Sequence, residues 1–316
     1  MKRALVTGGA GFIGSHLVEG LLQRGVETRV LDNFATGRRE NLAHVAQNVE
    51  ILDGDVRNLT SVRSALRGVD VVFHQAALPS VERSVKNPLE SNEVNITGTL
   101  NVLVAARDAG VQRVVCAASS SAYGDSPVLP KVETMSPEPL SPYAVSKLAC
   151  EQYMRVFWRL YGLSAIALRY FNVFGPRQDP TTQYAGVIAK FVDCALDGKP
   201  YPVHGDGEQS RDFSYVDNVV RANLLAAEVE LKDASVVNIA CGARITLNQL
   251  IALLNELTGQ KLPAQYLPAR AGDVRHSHAN IARAAELLDY APTVDVREGL
   301  RRTLEWYRAR RNDGRE

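Results

Sequence analysis

A short apolar run that ends on glycines spaced three apart most limits what this 316-residue chain can fold into. Residues 3–7 read Arg-Ala-Leu-Val-Thr, and Gly8-Gly9-Ala10-Gly11-Phe12-Ile13-Gly14 follows, before a helical pattern over 12–24. A strand that turns on glycine straight into a helix opens a βαβ unit. Its glycines let the backbone approach a pyrophosphate, and the helix N-terminus points N–H groups at it. Gly8, Gly11, Phe12, Ile13 and Gly14 are therefore expected to hold a dinucleotide. Asp32 closes the second strand roughly 20 residues further on, where a carboxylate can accept from an adenosine ribose diol and repel a 2′-phosphate. NAD is expected over NADP, although Arg38 and Arg39 in the following loop are cations that could soften that preference. Asp55 and Val56, after the third strand, are placed to meet the adenine edge, and Asn33 is grouped with them.

The rest of the first half alternates in the same way. Strands are expected over 27–31, 49–53, 69–75, 113–119 and 164–169, with helices over 60–66, 88–109 and 142–161. The runs Val-Val-Phe and Val-Val-Cys-Ala are nearly continuous in apolar residues, as in a parallel sheet covered on both faces. The expected class is α/β, a doubly wound parallel sheet with a smaller α/β lobe. Past Arg169 the texture changes to turn clusters such as Lys199-Pro200-Tyr201-Pro202, with helices over 187–196, 247–258, 281–288 and 296–311. A strand over 236–240 could rejoin the first sheet. The expected division is a nucleotide-binding domain over 1–169, with returning segments about 212–241, and a second lobe over 170–211 and 242–316.

Composition removes several function classes. Lys and Arg number 36 against 35 Asp and Glu, a net charge of +1, whereas nucleic-acid binders need a cationic excess to displace counterions. No apolar run approaches the roughly 18 residues of a membrane span. No signal-peptide core precedes the glycines. Cys116, Cys150, Cys194 and Cys241 are isolated and expected to be buried free thiols in a cytosolic protein. His276 and His278 are the only close histidine pair, without further ligands at metal spacing, so no metal is expected.

Tyr143 and Lys147 stand at i and i+4, on one face of a helix. A phenol is a poor base near neutrality, but an ammonium one turn away favours its ionised form. Ser119-Ser120-Ser121 ends the fifth strand, at the carboxyl edge where open α/β sheets bind ligands. Together these residues suit proton removal from a hydroxyl beside a nicotinamide.

The glycine turn, Ser119 and Tyr143-x-x-x-Lys147 resemble the extended short-chain dehydrogenase/reductase family, whose dinucleotide domain is a Rossmann sheet. The resemblance runs from Val6 to Arg270-Ala271-Gly272-Asp273 and beyond. Arg169-Tyr170-Phe171-Asn172-Val173-Phe174-Gly175 and Ser210-Arg211-Asp212-Phe213 are similar to motifs of its UDP-hexose 4-epimerases. The resemblance implies NAD and a UDP-sugar as ligands. Tyr170 would line the nicotinamide pocket and Lys86 would reach the cofactor pyrophosphate, with Ala76 and Ala77 also on the cofactor. Asn172 and Arg211 would contact UDP, and Arg270 and Asp273 its diphosphate and ribose. Ser120 and Val187 are counted with the substrate residues. Ser277 falls where a tyrosine would exclude an N-acetyl group, so both plain and acetylated UDP-hexoses are expected to fit.

The usual Asn-His-Ala-Ala at the fourth strand is His74-Gln75-Ala76-Ala77 here. Counting back from Tyr123-Gly124 makes Ser119 the catalytic hydroxyl, with Ser120 next, while counting within the triplet would give Ser121. The expected reaction is C4 epimerisation through a 4-keto sugar, with Ser119, Tyr143 and Lys147 as the chemical residues. The same family contains nucleotide-sugar 4,6-dehydratases and decarboxylases, but those carry a carboxyl group where this chain has serines. UDP-glucuronate 4-epimerisation is a further alternative, and an NAD-sensing regulator without turnover is the reading from another class. Relatives also imply a homodimer through the helices over 88–109 and 142–161, with Leu148, Met154 and Phe157 available for packing.

Overall fold

The computed structural model describes residues 1–181, 186–269 and 274–312. Its first half runs β1 (Arg3–Thr7), α1 (Phe12–Gln23), β2 (Glu27–Asp32), β3 (Val49–Asp53), α2 (Leu59–Ala65), β4 (Val71–His74), α3 (Val81–Lys86), α4 (Pro88–Asn92), α5 (Gly98–Asp108), β5 (Arg113–Ser119), α6 (Pro142–Tyr161) and β6 (Ala165–Tyr170). Then come β7 (Val173–Phe174), α7 (Val187–Asp197), β8 (Tyr201–His204), β9 (Ser210–Arg211), β10 (Ser214–Tyr215), α8 (Val216–Glu228), β11 (Ser235–Ile239), β12 (Ile245–Thr246), α9 (Leu247–Thr258), β13 (Ala264–Leu267), α10 (Ala282–Leu288) and α11 (Val296–Asn312).

Seven of these strands pair in parallel, in the order β11-β6-β5-β4-β1-β2-β3. The order reverses between β1 and β4, and ligands of open α/β sheets bind outside the carboxyl ends at such a point. Side chains alternate across each strand, so the continuous apolar runs feed two cores. Leu17, Val18 and Leu21 of α1 pack with Val219 and Ala222 of α8 on one face. Val62 of α2, Val102 and Leu103 of α5, and Met154 and Phe157 of α6 fill the other. A third cluster, with Phe191 of α7, Tyr201 of β8, Leu250 of α9 and Leu304 of α11, forms the core of the second half.

Three local features depart from the sequence pattern. The pattern gives no helix over 216–228, yet α8 lies there, so close to α1 that a Cβ on Gly20 would meet Val220 at 2.8 Å. The expected helix over 88–109 is broken by a wider π-type turn at Glu93–Thr97. Thr99 Oγ1 donates to the Asn95 carbonyl at 2.6 Å and Cys150 Sγ lies 3.2 Å from the same oxygen, so side chains compete for a helical acceptor. All four cysteines are free, but Cys194 and Cys241 are only half-buried.

Helix α6 is capped by Ser141, whose side chain accepts from Ala144 N–H, and ends at Gly162 in the left-handed region with φ 67°. Its buried face is partly polar, carrying Ser146, Lys147 and Glu151. Glu151 and Arg169 of β6 form a two-pronged pair at 2.8 and 2.7 Å, with side chains 1% and 3% exposed. Glu151→Ala strands a buried guanidinium and should cost about 3–5 kcal/mol, whereas Glu151→Leu with Arg169→Met should regain most of it. Urea midpoints of the two variants check this, and equal midpoints would refute it.

Candidate active site

The nucleotide end is built by close backbone approach. Gly8 has φ 68° and lies against the chain just past β4, so that a Cβ would meet Ala76 N at 2.7 Å. A Cβ on Gly14 would fall 2.1 Å from the Gly8 carbonyl oxygen. Only glycine permits either arrangement. Gly11 N-caps α1 and no side chain caps that helix, while half-buried Phe12 and Ile13 form its first turn. The result is a bare helix N-terminus facing a glycine cradle, a shape that fits a pyrophosphate.

Asp32 ends β2 with its Oδ2 accepting from Ala10 N–H at 2.9 Å and its Oδ1 from Phe34 N–H at 2.8 Å. Burial pushes its pKa up, against those hydrogen bonds. Each carboxylate oxygen retains a lone pair for a ribose hydroxyl. Asn33 Nδ2 donates to Asp55 Oδ2 at 2.8 Å, which joins the ends of β2 and β3. Hydrogen bonds from Arg57 hold Asp55 down at about 2. Val56 is buried beside it, and Ala76 and Ala77 are half-buried past β4. Lys86 is exposed on the last turn of α3.

The chemical end joins α6 to β5. Lys147 Nζ donates to the Ala117 carbonyl at 2.8 Å, two residues before Ser119. Burial works against the Lys147 charge, but electrostatic contact with the side chains of Tyr143, Cys116, Cys150 and Glu151 outweighs it and holds the ammonium above its ordinary pKa. Ser119 Oγ accepts from Ser121 N–H at 3.2 Å and from Ser121 Oγ–H at 2.9 Å, which starts the tight turn at Ser120–Tyr123. Ser119, Ser120 and Tyr143 are all half-buried.

The second half carries the remaining candidate residues. Asn172 sits at φ 37° and its Nδ2 donates to the Asp212 carbonyl at 2.9 Å and to Ser277 Oγ at 3.3 Å. The Ser277 carbonyl accepts from Asp212 N–H at 2.9 Å. Asp212 is fully buried and accepts from the N–H groups of Cys241, Gly242 and Ala279. Burial raises its pKa to about 6 despite these bonds. Arg211 Nη1 donates to the Ser210 and Arg275 carbonyls, both at 3.0 Å. Asn172, Arg211 and Ser277 are therefore brought together. Val187 opens α7 and packs against the third core. Arg270 and Asp273 lie outside the described residues.

Four supporting residues escaped the sequence reading. Ser84, fully buried in α3, accepts from Tyr143 N–H at 3.0 Å and so caps α6 from outside. Asn95 Nδ2 donates to Ser146 Oγ at 3.0 Å, bracing the turn between Tyr143 and Lys147. Gln75 and Asn223 surround the Tyr170 hydroxyl, with Asn223 Nδ2 donating at 2.8 Å and Gln75 Nε2 at 3.1 Å. Burial drives the Tyr170 pKa up, which keeps that phenol neutral. A polar residue directly past a strand end was the available signal for Gln75; the other three carry none without the fold.

The NAD dependent epimerase/dehydratase family model matches residues 4–240. The chain belongs to that family. It is similar to a UDP-glucose 4-epimerase of Thermotoga maritima solved with UDP-glucose, 41% identical with TM-score 0.93, covering 97% of this chain and 99% of that one. A UDP-N-acetylglucosamine 4-epimerase of Methanobrevibacter ruminantium, solved with UDP-N-acetylmuramic acid, is 39% identical with TM-score 0.94, covering 98% and 99%. A UDP-glucuronate 4-epimerase of Thermodesulfobacterium geofontis is 35% identical over 316 residues, 96% of this chain and 95% of its own. NAD is the cofactor of this family, and the glycine cradle with Asp32 fits it.

Proposed function

We propose that this family member interconverts the C4 epimers of UDP-hexoses, both the plain UDP-glucose/UDP-galactose pair and the acetylated UDP-GlcNAc/UDP-GalNAc pair. The observation that carries this reading is the strand end itself. Lys147 of α6 is bonded to β5 at Ala117, and the residues that follow are Ser119-Ser120-Ser121, without the carboxyl group that elimination of water would need. Bound NAD supplies a reversible hydride acceptor at the sugar C4. Tyr143 takes the 4-hydroxyl proton, helped by the Lys147 ammonium, and Ser119 hydrogen-bonds the same oxygen. General acid–base groups of this kind contribute about 10²- to 10⁴-fold. Arg211 faces the diphosphate, where a guanidinium can bind two oxygens at once. Asn172 contacts the UDP part of the substrate with Arg211, and Val187 and Ser120 lie at the margins. Asp32, Asn33, Asp55 and Val56 hold the adenosine end.

Tyr143→Phe should lower kcat by at least about 10²-fold with UDP-sugar affinity nearly unchanged. Incubation with each of the UDP-sugars, followed by chromatographic separation of the epimers, measures both that loss and the substrate range. Near-normal turnover in the variant would refute the role of Tyr143, and uronate turnover alone would refute the proposed range.

The acetylated pair is proposed because Ser277, with its Oγ 3.3 Å from Asn172 Nδ2, leaves the sugar's wall lined by a small side chain. Ser277→Tyr fills that volume. Turnover of UDP-GlcNAc should fall far more than turnover of UDP-glucose, and equal loss of both would remove the gate.

The same reading includes a homodimer. Met154 and Phe157 face the protein's own core, so they are not the packing residues that the sequence suggested. Val81, Val85 and Leu89 are exposed on α3 and α4, which pack against α6, where Val145, Val156 and Leu160 are exposed. A second copy of the chain is the proposed cover. Val85→Glu with Leu89→Glu should convert a dimeric mass in analytical ultracentrifugation into a monomeric one, and a wild-type monomer at micromolar concentration would end the idea.

A further inference from the structure

The loop after β2, beside Asp32, is reached by a residue from the second half of the chain. The loop after β2 presses against Asp32: a Cβ on Gly37 would stand 2.9 Å from both of its carboxylate oxygens. The next residue, Arg38, donates its N–H to the Ala10 carbonyl at 3.0 Å, and Ala10 in turn donates to Asp32. Arginines at this place are the groups that accommodate a 2′-phosphate in NADP-dependent chains. Both arginines here are engaged by carboxylates. Arg39 lies over the Phe34 ring, 3.8 Å from its centroid, and donates to Asp53 Oδ2 at 2.7 Å. Arg38 donates to Asp179 Oδ2.

The two pairs differ in shelter and in preparation. Arg39 and Asp53 are 62% and 66% exposed, a setting in which ion pairs contribute little and rearrange easily. Asp179 is 24% exposed and comes from the loop after β7, beyond the sheet. Its Oδ1 accepts from Thr181 N–H at 2.9 Å and Thr181 Oγ1 at 2.7 Å, so the carboxylate is aimed independently of Arg38. Burial opposes its charge, yet these hydrogen bonds and the Arg38 guanidinium hold its pKa below the ordinary carboxylate range.

We propose that Asp179 selects NAD against NADP by withholding the Arg38 guanidinium from the adenosine ribose, in addition to the repulsion from Asp32. Asp179 is a positioning residue that acts through Arg38. The inference rests on the reading of Asp32 as the ribose carboxylate. It follows that removing Asp32 alone leaves the 2′ side without its best cation, so that one substitution opens the site to NADP only in part. Removing Asp179 as well frees a guanidinium that can bind a phosphate through two oxygens.

The test reads the dinucleotide that the enzyme carries. Wild type, Asp32→Ser, Asp179→Asn, Asp32→Ser with Asp179→Asn, and that double variant with Arg38→Ala are purified and denatured. Released NAD(H) and NADP(H) are then counted by enzymatic cycling. Asp179→Asn should raise the NADP(H) share about threefold, as expected for a partly exposed pair. In the Asp32→Ser background the same change should raise it about tenfold, the scale of one phosphate–guanidinium contact, and Arg38→Ala should abolish the gain. Three results would overturn the proposal: a double variant no different from Asp32→Ser, a gain that survives loss of Arg38, or an equal loss of both dinucleotides when Asp179 is changed. Failure of the Asp32 reading has its own signature, an NADP(H) share that Asp32→Ser leaves unchanged while the Asp179→Asn gain persists.

Discussion

The two-pronged contact between Glu151 and Arg169 sets the position of nearly everything at the chemical end. It ties the middle of α6 to β6, and Lys147 one turn earlier ties the same helix to β5 through the Ala117 carbonyl. Apolar packing alone gives a 20-residue helix no directional contact that fixes its register. Two directional contacts on adjacent strands admit one register. Buried ion pairs contribute little net stability over apolar packing, and placement is their best-attested use. Here the placement decides where Tyr143 stands relative to the strand end that carries Ser119.

Arg169 also lies over the Tyr123 ring at 4.5 Å, and the Tyr123 hydroxyl donates to Asn238 Oδ1 at 2.7 Å. Asn238 Nδ2 donates to the carbonyls of Lys131 and Asn280. A line of polar contacts therefore runs from α6 through β6 to Asn238 of β11, and from there to Lys131 and Asn280. On the other flank, His74 fills the switch point between β1 and β4, with Thr7 Oγ1 at 2.7 Å and Thr99 Oγ1 at 2.9 Å. The Thr99 proton goes to Asn95, so His74 donates from Nε2 and accepts at Nδ1. Burial lowers its pKa to about 3, which suits a neutral ring with both nitrogens satisfied. The sheet's carboxyl edge is thus held from beneath by neutral polar groups and by paired charges.

Much of this architecture is legible in the sequence because it rests on local patterns. Val71-Val72-Phe73 reads as a strand buried on both faces, and Gly14 is required by the Gly8 carbonyl only six residues away, although Gly8 itself is required by distant Ala76. Helix α8 was invisible for the opposite reason. Its stripe includes Asn218 and Asn223, both wholly buried, and their acceptance depends on Thr293, Val294 and Tyr170 far along the chain. The π-type turn at Glu93–Thr97 depends likewise on Cys150, which sits on another helix. Site residues with a motif, such as Tyr143 and Lys147, could be named in advance. Those that act through a neighbour, Ser84 on the Tyr143 N–H or Asn95 on Ser146, become visible only when the helices are packed.

The serine pair at the end of β5 has one more implication. A hydroxyl oxygen has two lone pairs and one hydrogen, and Ser121 engages both lone pairs of Ser119 through its N–H and its own hydroxyl. What Ser119 has left to offer is its hydrogen. Its polarity toward the cleft is then one-way, fixed by a residue two positions along the chain, so any oxygen that approaches it meets a donor. A hydroxyl free to spin would pair equally well with an alcohol's oxygen or with its hydrogen, whereas one held as a donor leaves the hydrogen of any alcohol that reaches it to point elsewhere.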